Sequence, residues 1–208
     1  MANETAKGLK ILMSIRSTKK FAAAVAVASA LAAASAASAS IIEYTLSGVA
    51  SGTWLSGIYQ GQTFNSQAFT IKAMALTENV GTSDSNFFSV TNSVVFITLG
   101  SYGDMSTNTT TSSFLNRNQG RFGFGLGTGP SAALLGSFAN GAFPTWDLQS
   151  SLGPVTGTAA WNSQNWGTTY GALRFSGSSP VTFTATVVPA PGAIALLGLA
   201  GLAGRRRR

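Results

Sequence analysis

The sequence predicts an all-β domain, an antiparallel β-sandwich or jelly-roll-like body, preceded by an N-terminal signal helix and followed by a short C-terminal hydrophobic helix. Three observations lead there. Between about residues 40 and 187 the chain is rich in Gly, Ser, Thr and Asn, and its apolar residues alternate with polar ones instead of recurring at a helical period. Its apolar runs are short and bounded by turn-forming residues, with no intervening stretch suited to a crossover helix. The two ends differ in kind from this middle: they hold uninterrupted apolar stretches and most of the basic residues.

The first segment, 1–39, has the three parts of a secretory signal. Basic residues ending at Lys19 and Lys20 precede an apolar stretch, Phe21 to Ala33, and then the small-residue run ASAASAS. Cleavage after Ala39 places Ala37 and Ala39 at the small-x-small positions, and cleavage after Ala36 fits nearly as well. Met13 would serve as an alternative start with a more ordinary basic region. The apolar stretch is short and alanine-rich, whereas a membrane span needs about 20 strongly apolar residues. Export through Sec-type machinery is the expected outcome.

The middle segment, 40–187, opens with IIEYTLSG, where Ile42, Tyr44 and Leu46 alternate with Glu43, Thr45 and Ser47, the pattern of a strand with one wet face. SPVTFTATVV repeats it near the other end, with Val181, Phe183, Ala185 and Val187 on one side and Thr182, Thr184 and Thr186 on the other. AFTIKAMAL, SVVFITLG, RFGFGLG and GALRFSG read as further short strands. VVFITL is continuously apolar, which predicts a strand covered on both faces. SAALLGSFAN is the one stretch that could hold a short helix. The Gly-x-Gly spacings of GRFGFGLG lack the following helix that a dinucleotide loop requires, so they read as a strand whose glycines admit a close neighbour.

The formal net charge of +7 belongs to the ends. In the middle, Lys72, Arg117, Arg121 and Arg174 face Glu43, Glu78, Asp84, Asp104 and Asp147, a net charge of −1. A nucleic-acid binder needs cations facing many phosphates, and this segment offers none of that. The chain has no Cys and no His, which removes thiol nucleophiles, thiolate metal sites, the usual general base and the commonest metal ligand. Paired carboxylates could hydrolyse glycosides, but Asp84 and Asp104 sit in GTSDSN and GDMSTN, where Asp favours turns. The same loops offer Asp84, Ser85, Asn86, Asp104 and Asn108 as oxygen donors, yet with one carboxylate each they suit turns better than Ca²⁺. No catalytic set, metal site or cofactor motif is expected.

Trp54, Trp146, Trp161 and Trp166 lie in polar, glycine-rich surroundings, and WNSQNWG sets two of them among amides. If exposed, they would make a saccharide platform, since an indole face packs on the C–H face of a sugar while amides meet its hydroxyls. Otherwise they seal the ends of the core, as large aromatics commonly do.

The last segment, 188–208, begins Val188, Pro189, Ala190, Pro191, Gly192, a stiff extended stretch because each proline fixes its φ. The apolar run GAIALLGLAGLAG follows, carrying Ile194, Leu196, Leu197, Leu199 and Leu202, and would reach about 20 Å as a helix, short of a bilayer core. Arg205, Arg206, Arg207 and Arg208 then act as a cytoplasmic stop-transfer signal. This order of elements resembles the PEP-CTERM sorting signal, with Pro-Ala-Pro in place of the usual Pro-Glu-Pro. The resemblance implies recognition of the tail by exosortase, an integral-membrane cysteine protease, transient residence in the inner membrane, and cleavage near Pro189 to Pro191. It further implies delivery to the cell surface or an exopolysaccharide matrix in bacteria. The expectation is therefore a non-enzymatic surface or matrix protein, and the alternative a carbohydrate-binding module that uses the Trp and Asn clusters on polysaccharide.

Overall fold

Alternation in IIEYTLSGVASGTW becomes β1 (Ile41–Trp54), one of the two longest strands of the molecule. Its inward set is fully dry: Ile42 and Tyr44 have no exposure and Leu46 has 3%. A computed structural model describes residues 40–129 and 132–188. The signal segment with its cleavage residues Ala37 and Ala39, and the tail from Pro189 to Arg208, lie outside the described residues. So do the two expected terminal helices. Among the described residues, no helix is long and apolar enough to cross a membrane.

Twelve more strands follow: β2 (Thr63–Leu76), β3 (Gly81–Thr82), β4 (Phe87–Thr91), β5 (Val94–Leu99), β6 (Gly103–Ser106), β7 (Thr111–Asn116), β8 (Arg121–Leu126), β9 (Ala133–Ala139), β10 (Leu152–Trp161), β11 (Trp166–Thr168), β12 (Gly171–Ser176) and β13 (Ser178–Val188). All pairings are antiparallel, and they form one sheet in the order β3-β4-β7-β8-β9-β10-β13-β1-β2-β5-β6, with β12 joined to β1 and β11 to β12. The all-β expectation holds in the form of a single curled sheet.

Two devices curl it. β4 runs on into β5 through Asn92 and Ser93, although the two strands lie at opposite ends of the pairing order. The Asn92 N–H donates to the Thr111 carbonyl (2.9 Å) and the Ser93 N–H to the Met74 carbonyl (2.7 Å), so the link is bonded to both ends of the sheet. Near the other edge, a bridge between Thr107 and Thr168 ties the chain beyond β6 to β11. Joining edges in this way leaves fewer unpaired backbone groups exposed.

Size complementarity fills the interior. Tyr44 faces Ala73 on β2 and Ala185 on β13, and the two small partners leave room for its ring. Around it Phe122, Phe138, Phe143, Trp146 and Phe183 pack closely, Phe122 and Phe183 at 4.4 Å between ring centroids. Each fully buried ring of this kind contributes about 2–3 kcal/mol through removal from water.

Two expectations are corrected. Among the described residues SAALLGSFAN forms β9 and no helix: its backbone pairs with β8 on one side and β10 on the other, and Gly136, a poor helix former, gives way to the Trp161 ring. β5 is not covered on both faces. Val95, Ile97 and Leu99 are buried, whereas Phe96 is 44% exposed and Thr98 is exposed.

Candidate functional site

The tryptophan platform is the first candidate, and the structure overturns it. Trp54, Trp146, Trp161 and Trp166 are exposed by only 0, 4, 8 and 1%. In WNSQNWG the amides face outward while both rings turn in upon Phe175, Trp161 at 4.6 Å and Trp166 at 6.4 Å. The Trp161 indole N–H donates to Ser179 Oγ (3.0 Å) and that of Trp146 to the Ser150 carbonyl (2.8 Å). Trp54 lies beneath Tyr59 and Tyr102, at 5.2 and 5.6 Å, and seals one end of the curled sheet. These rings serve packing, because a buried face offers a sugar nothing to stack on.

The carboxylates are likewise occupied locally. Asp84 Oδ1 accepts from the N–H groups of Asn86 (2.7 Å) and Phe87 (2.8 Å), and Asp104 Oδ1 accepts from the Thr98 hydroxyl (2.6 Å). Asp147 Oδ1 accepts from the N–H groups of Gln149 and Ser150 and from the Ser150 hydroxyl. Partial burial pushes the Asp147 carboxyl upward, but these hydrogen bonds together outweigh it and hold the group below the usual carboxylate range. Asn108, named with the oxygen donors, instead donates to the Thr168 carbonyl at the edge bridge (3.2 Å). Among the described residues, no three acidic side chains cluster as a metal would need.

Beside Asp147 lies the most perturbed group. Tyr44 donates its hydroxyl to the Leu148 carbonyl (2.7 Å) in the interior. Burial, reinforced by the Asp147 charge, drives its ionisation far above the ordinary phenol range. The residue is a neutral structural post, with no exposure to solvent.

The open chemistry is on the outer face of β4, β7, β8 and β9. In RFGFGL the alternation sends Phe122 and Phe124 inward, both with no exposure, and turns Arg121, Gly123 and Gly125 outward. The bare backbone at Gly123 leaves a hollow that the Phe114 ring occupies: a Cβ there would stand 2.6 Å from the Phe114 ring tip. Phe114 therefore lies over the sheet, and Phe87 from β4 sets its ring nearly parallel beside it, 5.8 Å away with 7° between planes. Both rings are half-buried.

Phe87 sits where two shallow grooves of about 210 and 240 Å³ meet, Phe114 lines the larger of these, and a third groove of about 270 Å³ adjoins both. The first and second share Phe87 and Asn116, the first and third share Ser83, and the second and third share Gly129, so they tile one face. Polar groups border the rings. Phe87, Asn116 and Arg121 align across three strands by register. Asn116 Oδ1 accepts from the Gln119 N–H (3.1 Å), and exposed Arg121 reaches Ser137 Oγ at 3.3 Å. Arg117 is spent internally, with its guanidinium 4.3 Å over the Phe88 ring and its Nε donating to the Trp146 carbonyl (2.6 Å).

The sequence singled out Trp for this role and missed Phe. The signal was the phase of the alternation: Leu115 points inward, which puts Phe114 outward, opposite a glycine. No family model matches the chain, no curated protein is similar to it, and no solved structure resembles it.

Proposed function

We propose that this chain is an exported, non-enzymatic surface or extracellular-matrix protein, a curled β-sandwich-like passenger addressed by its two ends. In this reading the N-terminal segment engages Sec-type export machinery. The C-terminal segment pauses in the inner membrane and is processed by exosortase near Pro189 to Pro191.

The observation that carries it is the order of elements after Val188: Pro-Ala-Pro, a short Gly- and Leu-rich apolar run, and four arginines at the extreme end. The arginines favour the cytoplasmic side, and the run is too short to hold a stable span unaided. The fold is compatible with trimming. Ile41 and Val188 are register partners, so the described domain begins and ends side by side on two neighbouring strands, and cuts at Ala39 and near Pro189 break none of its strand pairings.

A variant lacking Arg205 to Arg208 tests the address. The full chain is expected in the surface fraction, and the variant in the membrane or periplasmic fraction, folded but unsorted. Equal surface yields for both would overturn the reading.

A further inference from the structure

We infer that the shelf made by Phe87 and Phe114, with Arg121 at its border, binds an acidic saccharide, specifically uronate rings of a polyanionic glycan. The inference stands apart from delivery, because it concerns the folded domain alone.

A pyranose ring has an apolar C–H face and a rim of hydroxyls. The stacked, half-buried phenyl pair leaves apolar surface at the bottom of the groove, of the same character as the C–H face of a sugar, while Asn116 and Gln119 supply amide donors and acceptors at its margin. The two grooves that meet at Phe87 are shallow and run on into a third through Ser83 and Gly129, which suits successive rings of a chain better than one enclosed molecule.

Charge selects among saccharides. The domain is slightly acidic as a whole, yet the cation at this face is exposed, and among the described residues no carboxylate lies within ion-pair distance of it. A guanidinium can grip a carboxylate through two parallel N–H bonds, a geometry that neutral sugars cannot match. Asp84 lines the adjoining groove and would repel a carboxylate placed there, so the acid group is directed to Arg121 and the hydroxyls to Asn86 and Asn116.

Calorimetric titration of the protein recovered from producing cells tests this, with a short oligogalacturonate and a malto-oligosaccharide of equal length as probes. The oligogalacturonate should bind, and the neutral sugar more weakly. Arg121→Gln should lower the affinity for the acidic probe about tenfold, the loss of one charge-assisted pair. Phe114→Leu keeps apolar cover over Gly123 while removing the ring face, and should weaken both probes. Lys72→Gln, a charge change on β2, which pairs with none of β4, β7, β8 and β9, should leave binding unaltered. The inference fails if the oligogalacturonate does not bind, if both probes bind equally, if Lys72→Gln costs as much as Arg121→Gln, or if Arg121→Gln and Phe114→Leu bind as the parent does.

Discussion

Tyr44 shows how one side chain links strand alternation to solution behaviour. Its proton is held in the folded state well above the ordinary phenol range, first by burial and then by the charge of Asp147. An unfolded tyrosine releases its proton near pH 10. A raised folded value means that the stabilisation is complete below that pH and is lost as pH rises further, because only the unfolded state then ionises. Urea unfolding followed across pH 8 to 12 should therefore show stability falling from about pH 10. In Tyr44→Phe that alkaline slope should shrink, at a cost of about 1 kcal/mol at neutral pH for the unpaired Leu148 carbonyl. An unchanged slope would contradict the assignment. Asp147 has the opposite sign: its lowered value gives stability that is lost as pH falls through it. The burial of Tyr44 was legible from alternation alone. The roles of the tryptophans and of Phe114 were not, since composition around a residue does not fix which way a strand turns it.

Among the elements, the bend between β4 and β5 matters most. Buried Asn92 donates through Nδ2 to Thr111 Oγ1 (3.1 Å) and accepts through Oδ1 from the Ser113 hydroxyl (2.8 Å). With the two backbone bonds of the link, this network holds the chain as it passes from one end of the pairing order to the other. Asn92→Ala strands two buried hydroxyls, and should destabilise by about 1–3 kcal/mol with the urea slope unchanged. A change below about 0.5 kcal/mol, the usual range of surface substitutions, would show that the bend does not need the side chain. β5 was readable as an apolar run between turn residues, but β4 and the bend were not. Asn-Ser is an ordinary turn pair, and only long-range pairing reveals that the strands beyond it take different neighbours. β9 was misread for the same reason: ALLGSFA has no alternation to declare, and its two partner strands decide its conformation.

For the whole molecule, charge and architecture separate. The described domain carries four cations and five carboxylates, whereas the positive charge lies in the terminal segments. In the proposed reading basicity belongs to delivery, and the described domain offers hydroxyls, amides and an aromatic shelf to its surroundings. Fold class was legible because alternation and frequent turns are local signals. The shelf was hidden because it joins residues from separate strands. The most direct measurement is the intact mass of the protein recovered from the surface of producing cells. The account requires a chain that starts after Ala36 or Ala39 and has lost everything beyond the Pro189–Pro191 segment, apart from any group attached at the cut. A mass that retains Arg205 to Arg208 in the surface form would contradict it.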